Sequence, residues 1–95
     1  MMKLILTRPG NINLMFENGY ELSISNGFGS YSDNQFTQSL LEAEEVASEK
    51  CEIAVLKNNK FVTKKVLDTS DDVVGFVSSE ELAEIIMRVK NYGRN

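Results

Sequence analysis

The chain has 95 residues, enough for one domain with a modest core and little stability to spare. Its 10 Lys and Arg against 14 Asp and Glu give a net charge of −4, with no dense basic block, which disfavours binding to nucleic-acid phosphates. One Cys and no His exclude an internal disulfide, fit a reducing compartment and remove the commonest general base and metal ligand.

The start, Met1-Met2-Lys3-Leu4-Ile5-Leu6, is apolar, but Arg8 and Pro9 cut it short. It lacks the length and small-residue cleavage site of a signal peptide and reads as a strand. No apolar run approaches the roughly 18 residues of a membrane span, so the expected setting is the cytoplasm, with no membrane partner. Next, Ile12, Leu14 and Phe16 alternate with Asn11, Asn13 and Met15, and Tyr20, Leu22 and Ile24 alternate with Glu21, Ser23 and Ser25. Each run has one apolar face at strand period. A two-residue Asn18-Gly19 turn would put these sets on opposite faces. A three-residue loop, Glu17-Asn18-Gly19, pairs Phe16 with Tyr20 and aligns them, with Gly19 left-handed in a bulge.

The segment Asn26-Gly27-Phe28-Gly29-Ser30-Tyr31-Ser32-Asp33-Asn34 is a loop by composition. Its glycines allow positive φ or close approach of a ligand, and consecutive backbone N–H groups in such loops can cradle an anion. Phe28 and Tyr31 suit stacking on a planar ring; Ser30, Ser32, Asp33 and Asn34 suit polar contacts. These nine residues are the candidate ligand-binding site. The spacing matches no phosphate-binding fingerprint, however. The competing reading is a wide turn in which Phe28 and Tyr31 plug the edge of the core.

Beyond the loop, Phe36, Leu40, Ala43 and Ala47 recur at helical spacing, and Ser39 with Glu42 supplies the residues of a capping box. A helix is expected within 38–48. A second hairpin follows, with strands at 51–57 and 61–67 around an Asn58-Asn59 turn. Its register sets Leu56 opposite Phe61 and Glu52 opposite Lys65. A short last strand covers 73–77, with Gly75 marking a bulge or a close contact. Ser78 and Glu81 form a capping box for a C-terminal helix, stapled by Val77 and Leu82. Leu82, Ile85, Ile86 and Val89 are its buried stripe, and Gly93 can end it.

Other candidates for chemistry each have a plainer reading. Asp68, Asp71 and Asp72 lack the glycine and distant Glu of a calcium loop, and read as a solvated turn. Cys51 has no histidine base and begins an apolar strand, so it reads as a buried structural thiol. Glu21, Glu52 and Asp33 are available for acid–base work, but no pattern singles out a pair. Lys57, Lys60, Lys64 and Lys65 guard a sheet edge or meet an acidic partner.

The stretch Phe16-Glu17-Asn18-Gly19-Tyr20-Glu21-Leu22-Ser23-Ile24, leading into Gly27-Phe28-Gly29-Ser30-Tyr31-Ser32-Asp33-Asn34, resembles small accessory proteins of tailed bacteriophages. Cys51-Glu52-Ile53-Ala54-Val55 resembles their second hairpin, and the run from Asp72 to Leu82 their last strand and helix start. The segment 36–50 has no counterpart in the resemblance. The resemblance implies action on a host cell, often antagonism of a defence system by binding a host protein or sequestering a nucleotide-like signal.

The expectation is therefore an α+β domain spanning 1–95: an antiparallel sheet of five to six strands built from hairpins, packed by a C-terminal α-helix, with a second helix in the middle. The leading function is a non-enzymatic host-defence antagonist that needs no cofactor or metal and acts on a host protein or a nucleotide-like ligand through residues 26–34. A chain this short has little room for a closed pocket, so a homo-oligomer holding the ligand between subunits is compatible with this reading. The rivals are a virion assembly module and a small carboxylate-dependent nucleotide hydrolase.

Overall fold

The computed structural model of the chain describes residues 3–8 and 10–93. The expectations for Met1, Met2 and Pro9 lie outside the described residues. In chain order the elements are β1 (Lys3–Arg8), β2 (Asn11–Met15), β3 (Tyr20–Ser25), β4 (Lys50–Lys57), β5 (Lys60–Phe61), α1 (Thr63–Leu67), β6 (Val74–Ser78) and α2 (Ser79–Lys90). The strands form one six-stranded antiparallel sheet in the order β1-β2-β3-β4-β5, with β6 also paired to β4. The fold class is thus α+β, as the sequence predicts.

Register follows from which side chains must face the core. Ile12 lies opposite Ile24 and Leu14 opposite Leu22, so both strands of the first hairpin turn their apolar sets to one face. Leu22 then meets Val55, and Ile24 meets Ile53, on β4. The three-residue loop makes this register: Phe16 N–H donates to Tyr20 O at 2.9 Å, Gly19 N–H donates to Phe16 O at 3.1 Å, and Gly19 has a φ of +86°. In the second hairpin Asn58 and Asn59 sit at φ of +53° and +63°, the left-handed pair that a two-residue turn needs, and Leu56 faces Phe61.

Helix α2 covers the apolar face. Its capping box forms as expected: the Ser78 hydroxyl accepts from Glu81 N–H, and the Glu81 carboxylate accepts from Ser78 N–H at 3.1 Å. Val89 is buried, and Leu82, Ile85 and Ile86 pack on the core of Leu22, Ile53, Val55, Val66 and Val77. The other end of α2 is held by the first hairpin. The Asn18 side-chain amide donates to Val89 O at 2.8 Å and to Tyr92 O at 3.2 Å. Tyr20 and Tyr92 meet edge to face at 5.1 Å, with the Lys57 ammonium 4.5 Å from the centre of the Tyr20 ring.

One expectation is corrected, and another holds in a shorter form. Residues 61–67 are not one strand: β5 ends at Phe61 and α1 begins at Thr63, so Glu52 does not pair with Lys65 and lies opposite Ser25 instead. Val62 and Val66 stand four apart, and winding this segment into a helix buries Val66 and Thr63 together on the face α2 already covers. The middle helix shrinks to a 3₁₀ turn, Gln38–Glu42, that buries none of its residues and has no side-chain cap. None of Phe36, Leu40, Ala43 and Ala47 is buried, and Phe36 is 85 % exposed. Without packing, a short helix is not stable on its own propensity.

Gly75 is a close contact and sits in a bulge. The register of β4 with β6 shifts between Cys51 and Ile53, placing Gly75 and Phe76 opposite Glu52. A Cβ on Gly75 would stand 2.6 Å from the Tyr31 Cβ, so the loop at 26–34 rests directly on β6. Among the described residues no helix is long and apolar enough to cross a membrane.

Candidate functional site

The loop at 26–34 folds by hydrogen-bonding to itself. Ser30 and Ser32 are buried, with hydroxyls 2.7 Å apart, and the Ser30 hydroxyl donates to Gly27 O at 2.6 Å. The Asn34 amide donates to Asn26 O at 2.8 Å. Gly10 is needed for close approach: a Cβ there would come within 2.6 Å of Gly27 N, so two backbones touch where β1 turns into β2.

The polar side chains also tie down the segment that follows. Asn26 donates to Val46 O at 3.2 Å and to Ser48 Oγ at 3.0 Å. Asn34 donates to Ala47 O at 2.9 Å, and the Asp33 carboxylate accepts from Glu49 N–H at 2.9 Å. Residues 43–49 have no regular structure and run as a strap held off the sheet by these bonds. Asn26, Ser30, Ser32, Asp33 and Asn34 therefore act as internal staples.

The expected anion cradle is not formed. Gly29 N–H donates to Gln35 O, Ser30 N–H to Gly27 O and Ser32 N–H to Ser30 O. Tyr31 N–H donates to the Glu52 carboxylate at 3.0 Å. A phosphate at this loop would meet a carboxylate already seated on the donor it needs. The recess beside the loop, between Gly10, Phe28 and Glu52, holds only about 60 Å³.

What the loop presents outward is aromatic. Phe28 is 40 % exposed and Tyr31 49 %, so neither plugs the core. Phe76 N–H donates to Tyr31 O at 2.8 Å, which fixes the aromatic loop to β6, and Phe76 is itself 54 % exposed.

A larger concavity lies on the core face of the sheet, and the sequence reading missed it. Ile12, Ile24, Cys51 and Val77 form its floor, Leu82 of α2 one side, and the strap, through Glu44, Val46 and Glu49, the other. Its volume is about 380 Å³. Only Asn26 of the predicted residues lines it. Its floor residues look in the sequence like any strand-period core positions. Only the failure of α2 to reach Ile12, and of the strap to collapse on it, makes them a cleft. Cys51 is buried as expected, and burial, then the nearby Glu52 and Glu81 charges, push its thiol above the ordinary value. It is a poor nucleophile at neutral pH.

Glu21 is occupied by a hydrogen bond from Asn13, and Glu52 by the loop backbone. Among the described residues no group of three acidic or cysteine side chains is placed to hold a metal ion, the aspartates at 68, 71 and 72 included. Asp68 instead closes α1 in a left-handed conformation, φ +55°. No family model, no curated protein and no solved structure matches the chain.

Proposed function

We propose that this chain is a non-enzymatic binding protein that inhibits a host process through the aromatic face of the 26–34 loop, the role that its resemblance to phage accessory proteins implies. One observation carries the reading. Phe28 and Tyr31 stand exposed on a loop whose polar side chains are spent holding it rigid. Aromatic side chains fixed this way lose little entropy on docking and are the commonest anchors of protein interfaces.

A protein partner fits better than a nucleotide held by one copy. The recess at the loop is far below the roughly 300 Å³ of a small-molecule pocket, and its anion donors are taken. A nucleotide-derived signal would need a second copy of the chain to complete its site.

Native mass spectrometry of the protein purified from bacterial cells, followed by capture of partners, tests this. The expected result is a partner retained by the native chain and lost by Phe28→Ala and Tyr31→Ala, both of which keep the native unfolding midpoint. Retention by both variants would overturn the reading. A homo-oligomer carrying an extra mass of a few hundred daltons would replace it with small-molecule sequestration.

A further inference from the structure

We propose that the 380 Å³ cleft on the core face is a separate binding site, for a small, largely apolar molecule carrying a positive charge. The volume lies within the roughly 300–1,000 Å³ of small-molecule pockets. The floor is apolar. Cys51 and Val77 are 7 % and 3 % exposed, and Ile12 and Ile24 sit in register on adjacent strands.

The walls hold the cleft open. A strap with no regular structure would gain stability by collapsing onto Ile12, which is 37 % exposed. Asn26, Asn34 and Asp33 instead hold the strap at Val46, Ala47 and Glu49. Three side chains from one loop thus keep apart two surfaces that the hydrophobic effect would bring together.

Charge selects the occupant. Glu44 and Glu49 line the strap side. Lys50 is the one cationic lining residue among those described, so the lining carries two carboxylates against one ammonium. Both carboxylates belong to exposed strap residues, and a ligand amine in the cleft would be attracted by the excess of negative charge. An anion would be repelled.

The test compares two probes of like shape and opposite charge, tryptamine and indole-3-acetate, titrated into the isotope-labelled full chain and followed by amide NMR shifts. Tryptamine is expected to give saturable shifts at Ile12, Ile24, Cys51 and Leu82, with indole-3-acetate weaker by about tenfold or more. The double variant Glu44→Gln, Glu49→Gln should bring the two probes together. Ile12→Trp, which fills the cleft from its floor, should abolish the tryptamine shifts while the rest of the spectrum is kept. Val46→Trp does the same from the strap if the first variant does not fold. Absence of saturable shifts at these amides, or equal binding of the anion, would overturn the proposal. Neither outcome bears on the loop aromatics, which lie outside the cleft.

Discussion

Thr63 completes a strand pairing with a side chain. Where β5 leaves β4, Val62 N–H still donates to Val55 O at 2.8 Å, and then the chain turns into α1. The Thr63 hydroxyl takes over: it accepts from Val55 N–H at 2.8 Å and donates back to Val55 O at 3.3 Å. All three groups are buried, and Thr63 is fully so. Thr63→Val keeps the shape but leaves Val55 N–H without a partner, so a loss of about 1–3 kcal/mol is expected in chemical denaturation. Thr63→Ser should recover most of it. Gly75 is the second single-residue constraint. Gly75→Ala drives a methyl into Tyr31 and should cost roughly 1–3 kcal/mol. A double-mutant cycle with Tyr31→Gly should show coupling, because that change removes the atom struck. The sequence flags Gly75 as a contact. It does not flag Thr63, because a threonine after a β-rich run looks the same whether its hydroxyl faces solvent or a strand.

Elements whose ends are set by local chemistry were the legible ones. The Glu17-Asn18-Gly19 loop follows from parity of two apolar runs, and the α2 start from Ser78 and Glu81, both within a few residues of each other. The far end of α2 was not legible in this way. Asn18 closes it from 71 residues away, and nothing in an Asn-Gly pair distinguishes a turn residue from a remote cap. Asn18→Ala should cost about 1–2 kcal/mol. Asn18→Asp should cost more, because it sets a carboxylate against the negative end of the helix and removes the donors. Glu81 ties α2 to pH. Hydrogen bonds from Ser78, chiefly from its backbone N–H, hold the Glu81 carboxyl below its ordinary value. A folded pKa below the unfolded one gives stability that is full above the unfolded value and lost as the pH falls through the folded one. Glu81→Gln should therefore be less stable at neutral pH and show a shallower fall in melting temperature on acidification. Elements that depend on available surface were not legible. The 38–48 stripe and the 61–67 run each had a valid local pattern.

At the scale of the molecule, β4 is the organising strand: β3 runs along one edge, while β6 and β5 divide the other between them. The candidate loop was visible in the sequence as a composition, and its outward aromatics are in keeping with that. That its serines, asparagines and aspartate bond within the chain was not legible, because a polar side chain in a loop carries no mark of whether it binds inward. The cleft was invisible for the converse reason, being made of residues that pattern as core.

The 3₁₀ turn at Gln38–Glu42 buries nothing, yet it lies on the one stretch of chain, 26–49, that links β3 to β4. Everything else joining the two halves is non-covalent, including six paired residues from Tyr20 to Ser25, the Asn18 cap on α2, the strap bonds, the Tyr31 bonds to Glu52 and Phe76, and the shared core. A peptide break there costs the fold only the entropy of tethering, which grows slowly with loop length. Fragments 1–37 and 38–95, each unfolded alone, should reassemble on mixing into a one-to-one complex with the circular dichroism of the intact chain. The protein would then serve as its own split reporter, with the break at a point that touches neither the aromatic loop nor the floor of the cleft.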